Sequence, residues 1–426
     1  MKLPEGESVA HKAKKFVMKY FWQGQLLEKR AVVQLPPDAK WSKRFLNNHR
    51  RAIGLVIPPI FFHLVWWCLA IRHNFFQYFP TRYFMSITMI FGSFVAGATC
   101  EGSGAVAFPV MTLALKVAAT TARDFSCMIQ SFGMTSATFT IFWMGVKLEW
   151  RSILFCSLGG ALGLILGLQF LDPHIPDSYK KMFFVSMWAA FAVALFIANR
   201  RRKFKAFDKI PHFRPWKAAV LFFIGGIGGL FTAMAGSGVD ICSFSALTLL
   251  FMVTEKVATP TSVVLMAINT MIAFFWRQLM MEGISREAWE YLSVSVPFSV
   301  VTAPIGSLVS THFHRVTLAC LVYFLEIFAL VSWYAIVRPG LYLAIGSVVT
   351  LVLGALFFVA LAFAGGKLAQ KEKAPAIPNI DPSDPPISQI DTEAGSSTPA
   401  DVDEEGSPEP GKTPAPDIAT ITANPA

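Results

Sequence analysis

From Ile53 to Ala364 the chain is built of apolar runs of about twenty residues, and these constrain it more than any other feature. A run of that length is what an α-helix needs to cross a ~30 Å hydrocarbon core at about 1.5 Å per residue. Inside hydrocarbon every backbone N–H and C=O must be paired, so runs of this kind fold as helices. Composition points the same way. Of the 426 residues 54% are hydrophobic and 15% charged, against about a quarter charged in ordinary globular domains. The sequence predicts an all-α polytopic membrane protein with roughly ten apolar segments. It excludes a disordered chain, a disulfide scaffold and a typical soluble enzyme.

The organisation follows from composition along the chain. Residues 1–52 read as a basic cytosolic N-terminal arm and 53–72 as a first transmembrane helix. Residues 83–199 read as a first transmembrane repeat, 200–217 as a basic cytosolic loop and 218–364 as a second repeat. Residues 365–426 read as a disordered, acidic, proline-rich cytosolic tail. The net charge of +10 sits mostly on the arm and on Arg200-Arg201-Arg202-Lys203 with Lys205. In a membrane protein such clusters mark the cytosolic side and contact with anionic lipid, so no nucleic-acid partner is expected. Both termini are then cytosolic, and the plasma membrane is expected before an endomembrane. The six cysteines lie in apolar runs without a CxxC pair, so neither a disulfide framework nor a metal site is expected.

Two of the runs are interrupted. Phe84–Leu115 is broken by Cys100-Glu101-Gly102-Ser103-Gly104, and Ala218–Val253 by Gly236-Ser237-Gly238. Gly102 and Gly236 are 134 residues apart. Each interruption is followed by an apolar limb, a loop with a cation (Arg123; Lys256) and a span with a polar start. The first such span carries Ser126, Gln130, Ser131, Thr135 and Ser136; the second carries Thr259, Thr261, Ser262, Asn269 and Thr270. The expected fold therefore has two internal repeats, each with a Gly-broken helix, re-entrant or discontinuous, plus spanning helices. Inverted and parallel arrangements are both open. If Arg200 and the N-terminal arm are both cytosolic, the first interrupted run must turn back instead of crossing.

Glycine frees the backbone from helical φ/ψ, and non-helical backbone survives at membrane depth only inside protein or beside a wet cavity. A limb starting after Gly104 or Gly238 would aim N–H groups into such a cavity, where a helix N-terminus favours an anion. Candidate substrate-binding residues are Thr99, Gly102, Ser103, Gly104, Gly236, Ser237, Gly238, Ser131, Thr261 and Asn269. Glu101 and Asp240 read as the only acids deep in the interrupted runs, hence candidates for coupling anion movement to protons. Arg123-Asp124 reads as a solvated loop pair. Trp66, Trp67, Trp143, Trp276 and Trp289 read as interfacial belts.

At the interruptions the chain resembles the sulfite exporter TauE/SafE family of membrane anion transporters. The likeness rests on Gly97–Met111 and Thr232–Leu249, on Ala258-Thr259-Pro260-Thr261-Ser262 and on the two-fold pattern. It covers roughly Phe84 to Ala364, with a departure where Pro109 of the first limb aligns with Ser243 of the second. The resemblance implies transport of sulfite or sulfonated organic anions. The function expected is a secondary active transporter of small anions, working by alternating access around the paired Gly-Ser-Gly breaks. The alternatives are an anion channel of the same architecture and a non-transporting scaffold or receptor. No Gly-x-x-x-x-Gly-Lys-Ser/Thr run, nucleophile elbow or His-Glu-x-x-His is present, so neither an enzyme nor a cofactor is expected. The expected partners are a small anion, protons and the lipid bilayer.

Overall fold

The computed structural model describes residues 40–200, 207–310 and 312–372, together with Lys15 and Phe21. Most of the N-terminal arm, the Arg201–Lys205 part of the basic cluster and residues 373–426 lie outside the described residues, whereas residues 365–372, read from sequence as the start of a disordered tail, continue the last helix to Glu372. The described chain is almost entirely helical. Its helices are α1 (Trp41–Asn48), α2 (Arg50–His73), α3 (Phe79–Ala98), α4 (Gly104–Pro109), α5 (Ala119–Met144), α6 (Trp150–Leu166) and α7 (Asp177–Arg200). They continue with α8 (Pro215–Ala235), α9 (Val239–Ser245), α10 (Glu255–Phe275), α11 (Arg286–Val309), α12 (Arg315–Val337) and α13 (Leu341–Glu372).

Seven segments are long and apolar enough to cross a membrane: α2, α6 with its extension to His174, α8, α10 with its extension to Met280, α11, α12 from Val316, and α13 to Gln370. That is fewer than the ten apolar segments expected. α5 is long enough at 26 residues but carries Arg123, Asp124, Gln130 and a run of hydroxyls, nearly all buried. Lipid does not have to solvate them, because α10, α11 and α2 pack around α5. The outer surface shows the complementary pattern. Leu154, Leu158, Leu162 and Leu166 form one exposed apolar stripe on α6, and Phe324, Ile327, Phe328 and Val331 another on α12. Apolar outside and polar inside is the arrangement a bilayer selects.

Three prolines inside helices do a specific job. A proline has no N–H, so the carbonyl four residues earlier loses its helical partner. Pro58 of α2 frees Gly54 O, which accepts from Thr140 Oγ1 of α5 at 2.8 Å. Pro297 of α11 frees Ser293 O, which accepts from Trp66 Nε1 of α2 at 2.7 Å. Pro304 frees Val300 O, which accepts from Ser136 Oγ of α5 at 2.7 Å. Each orphaned carbonyl thus becomes an interhelix bond, tying α2, α5 and α11 together where no water can serve. Trp66 is buried by this bond, so it does not belong to the interfacial belt read from sequence.

Small residues set the closest crossings. α6 and α8 meet through Gly159, Gly163, Gly225 and Gly229, where a Cβ on any of the four would collide with backbone of the facing helix. α3 and α11 meet through Gly97 and Gly306 in the same way, with Ser93 Oγ and Ser299 Oγ 2.6 Å apart beside them. Close backbone approach through small residues is how helices associate without a hydrophobic driving force between them.

The contacts order the helix ends. At one end, Arg82 in the first turn of α3 binds Tyr291 Oη and Glu290 of α11, and Thr121 of α5 meets Ser285. The α7 start is there too, with Asp177 accepting from Ala119 N at 3.0 Å. We call this the Ser285 end. At the other, Glu149 N donates to Thr261 Oγ1 of α10, Ile210 N donates to Glu149 Oε2, and Arg50 binds Trp143 O. We call this the Glu149 end. Helix α3 begins at the Ser285 end, and α4 leads back to it through residues 115–118. Helix α8 begins at the Glu149 end, where Lys217 Nζ lies 5.8 Å from the ring of Phe251, just after α9. So α3–α4 and α8–α9 each enter and leave at one end, from opposite sides.

Both short limbs finish alike. Val110–Ala114 and Ala246–Leu250 are wide turns closed by Leu115 N to Val110 O and Phe251 N to Ala246 O, each at 3.0 Å. The next residues but one, Lys116 and Met252, have φ of 57° and 52°. Val117 N to Met111 O (2.9 Å) and Val253 N to Leu247 O (2.8 Å) complete the match.

Candidate functional site

The α3–α4 and α8–α9 junctions, far apart in sequence, touch at one buried point. Gly236 ends α8 at φ 81°, a left-handed value that favours glycine. A Cβ on Gly102 would collide with Gln130 Oε1 and come within 2.7 Å of Ser237 Oγ. The join is made by Asp240 of α9. Its Oδ2 accepts from Gly102 N across the junctions (3.0 Å) and from Ser237 Oγ (2.5 Å), while Oδ1 accepts from Gly238 N at 2.7 Å. Three donors surround Asp240, as a buried carboxylate requires. Gln130 of α5 adds a second clamp, its Nε2 donating to Gly236 O at 2.8 Å and to Ser126 O at 2.9 Å.

The other sequence candidates fall in three places. Thr99 Oγ1 donates back to Val95 O (2.9 Å) and accepts from Glu101 N (3.1 Å), so it shapes the first junction. Gly104 faces Gln130 Nε2, 3.0 Å from where its Cβ would be. Ser103 Oγ is buried at the junction with no hydrogen-bond partner. Asn269 lies beside the second junction, against Gly160 and near Val239, with its Nδ2 donating to Leu265 O (2.8 Å) and its Oδ1 unpaired. Ser131 instead donates to Met128 O (2.7 Å), and Thr261 sits at the Glu149 end. The structure therefore gathers Thr99, Glu101, Gly102, Ser103, Gly104, Gln130, Gly236, Ser237, Gly238 and Asp240, and leaves Ser131 and Thr261 elsewhere.

A cavity of about 100 Å³ reaches toward this point from the Glu149 end. Its outer wall holds Glu255, Lys256, Thr259, Ser307 and Ser310; its inner wall is Gly97–Cys100, with Val322 of α12 and Phe244 of α9. The polar lining is thus hydroxyls and one lysine beside one glutamate. Beyond Cys100 lies Glu101, fully buried, and its carboxyl faces that of Glu326 on α12. Glu326 is an addition to the acids read from the sequence, which are Glu101 and Asp240 alone. It stands alone in a 23-residue apolar helix, and that isolation is the signal that could have found it.

The path from the Ser285 end is filled by ion pairs. Arg123 binds Asp124 (2.8 Å) and Asp172 (2.5 Å), and Lys180 binds Asp172 at 2.6 Å. Arg277 binds Asp124 at 2.7 Å and Gly283 O at 2.6 Å. Arg123 also donates to Ala233 O at the end of α8, at 3.2 Å. All five side chains are buried. The solvated loop pair expected at Arg123-Asp124 is thus corrected: it lies inside α5, in a network that draws in α6, α7 and α10. Buried ions are tolerated only in such reciprocal sets, because each has left water. Among the described residues no group of three or more His, Cys, Asp or Glu could hold a metal ion.

No curated protein and no solved structure matches the chain significantly. The family model described as Sulfite exporter TauE/SafE matches residues 85–333, from α3 to the last turns of α12 and so more than half of the chain. A polytopic helical bundle with its polar groups turned inward, matched over that length, belongs to the TauE/SafE sulfite exporter family of membrane transporters.

Proposed function

We propose that the protein is a secondary active transporter of a small anion, of the sulfite or organic sulfonate kind, and that it works by alternating access around the two touching junctions. The observation that carries this reading is the meeting of α3–α4 and α8–α9, entered from opposite ends and joined by Gly102 N and Asp240. On this reading residues 83–199 and 218–364 are inverted repeats. The matching wide turns at Val110–Ala114 and Ala246–Leu250, and the paired φ values of Lys116 and Met252, support that. Inverted repeats whose broken helices meet near the midplane give a transporter two equivalent halves to rock against each other.

The Glu149 end is the cytosolic one in this proposal. Arg50, Arg51, Lys147, Arg151, Lys209 and Arg214 lie at or beside that end in the chain. The protein is then seen open to the cytosol, with its cavity facing inward and the Arg123–Asp124–Asp172–Lys180–Arg277 network closing the outer side. The anion enters past Lys256, Thr259 and Ser307 and is received by Ser103 Oγ, a buried hydroxyl with its hydrogen bond unused. The Gly102 and Gly238 N–H groups hold Asp240 in this state, so Asp240 keeps the junctions together and Ser103 is the group left to meet the substrate. The plasma membrane is the proposed location.

The test is flux of radiolabelled sulfite, sulfate and a small sulfonate into liposomes holding the purified protein. Saturable uptake, accelerated by unlabelled anion on the far side, is the expected result. Folded protein that moves none of the three would end the transport reading. Large, non-saturating currents would assign a channel instead.

A further inference from the structure

We propose that Glu101 and Glu326 form a carboxyl pair that binds a proton, and that this pair, and not Asp240, is the proton site of the protein. The site itself stands on geometry; its role in coupling rests on the transport reading above. Neither Glu101 oxygen has a hydrogen-bond donor in N–H or O–H form, and both are buried. What faces them is the carboxyl of Glu326, itself 2% exposed. Two carboxyl groups can be joined by a hydrogen bond only when one carries a proton, because an ionised carboxylate is an acceptor alone. Two bare carboxylates in contact and out of water would repel with no donor to offset it.

The surroundings leave the proton with the pair. The ionisable groups acting on Glu101 are Glu326 from α12 and Asp240 from α9, and neither is a cation. The Cys100 thiol is adjacent and supplies no charge to balance a carboxylate. Asp240 is as buried but differs in its donors: its oxygens already take Ser237 Oγ, Gly238 N and Gly102 N. Its oxygens have their hydrogen bonds without a carboxyl partner.

The pair also has a route to water. Cys100, next to Glu101, lines the inner wall of the cavity. On α12 the lining residues Ala319 and Val322 are followed at helical spacing by Glu326, on the same face. A small shift of α12 or of the α3–α4 junction would open the pair to cavity water. The proton on the carboxyl oxygen would then pass to that water, leaving the pair more negative by one. The pair carries one negative charge with its proton and two without it, so loss of the proton strengthens the repulsion of an anion at the cavity's inner end. Proton and anion are thereby bound together.

The experiment is infrared difference spectroscopy of the full-length protein in lipid, wild type against the double variant Glu101→Gln/Glu326→Gln. Two glutamines can hydrogen-bond each other where the carboxyls did, so the double variant keeps the contact. The wild type is expected to show a buried carboxylic-acid C=O band that shifts in heavy water and is absent from the double variant. Each single variant should move or remove the band, and Asp240→Asn should leave it in place. A spectrum identical in wild type and double variant overturns the site. In liposomes with the potential clamped, a one-unit pH gradient can drive about tenfold accumulation through one bound proton. The double variant should exchange anion yet lose that accumulation; accumulation kept in full overturns the coupling. If the wild type moves no anion, the transport reading falls, and the spectrum still decides the proton site.

Discussion

Asp240→Asn is the substitution whose cost can be worked out most closely. The carboxylate accepts three hydrogen bonds, two from backbone N–H groups and one from a hydroxyl. An amide has one oxygen. If that oxygen takes the place of Oδ1, Gly238 N stays paired, Ser237 can rotate to accept from the new NH2, and Gly102 N is left facing a donor. If it takes the place of Oδ2, Gly102 N and Ser237 stay paired and Gly238 N is orphaned. Either way one buried backbone N–H loses its acceptor, at a cost of about 1–3 kcal/mol. That is a factor of about 5–150 in the folding equilibrium. Glu101→Gln orphans no backbone N–H or hydroxyl, since none donates to either Glu101 oxygen, and the glutamine amide can still meet the Glu326 carboxyl. Thermal unfolding of the purified proteins, followed by tryptophan fluorescence in one detergent, should rank them wild type, then Ser237→Ala, then Asp240→Asn. Glu101→Gln should lie above Asp240→Asn. An Asp240→Asn protein as stable as wild type, or less affected than Glu101→Gln, would refute the assignment of Asp240 as the tie between the junctions.

The same reasoning reaches other positions. Ser136→Ala should cost about 1 kcal/mol by orphaning Val300 O, and much less in a Pro304→Ala background, where the restored backbone N–H takes that carbonyl back; a double-mutant cycle in detergent melting measures the coupling. Arg277→Gln strips Asp124 of two charge-assisted bonds inside the buried network and should cost about 3–5 kcal/mol, read as lost yield of folded protein. Gly97→Leu should abolish folding, because even a Cβ there collides with Ala303 O, whereas Gly340→Ala, with nothing within 4 Å, should leave melting and expression unchanged. Lys256→Gln, at the cavity wall, should raise the half-saturating anion concentration and flatten its salt dependence in the flux assay.

Much of this architecture is legible from the residues. The apolar runs mark the helices, and Gly-Ser-Gly marks the ends of α8 and of the α3–α4 junction, since glycine is what the left-handed turn at Gly236 favours. Pairing across distance is not legible. Gly102 meets Asp240 over 138 positions, and nothing local to either says so. Arg123-Asp124 reads as a loop because two adjacent charges normally stay in water; Asp172, Lys180 and Arg277, from outside α5, are what make burial tolerable. Arg277 escapes notice for a simpler reason: it follows the apolar run of α10, and only the helix's continuation to Met280 carries it inward. Glu326 is visible as a lone acid in an apolar helix, but its meaning depends on Glu101, which no spacing reveals. The polar residues of α5 lower its hydropathy for the reason that makes it central: it runs through the middle of the bundle, where protein and not lipid surrounds it.

The central claim is that the touching junctions receive the anion, and Ser103→Ala tests it most directly. Ser103 Oγ is buried and bonds to nothing in the protein, so its removal should leave the melting temperature unchanged. A hydrogen bond to a charged ligand is worth about 1.5–3 kcal/mol. The half-saturating concentration for sulfite or sulfonate flux should therefore rise by a factor of about 10–150, with the protein equally stable. A stable Ser103→Ala protein with unchanged saturation would contradict the account and move the anion site away from the junctions.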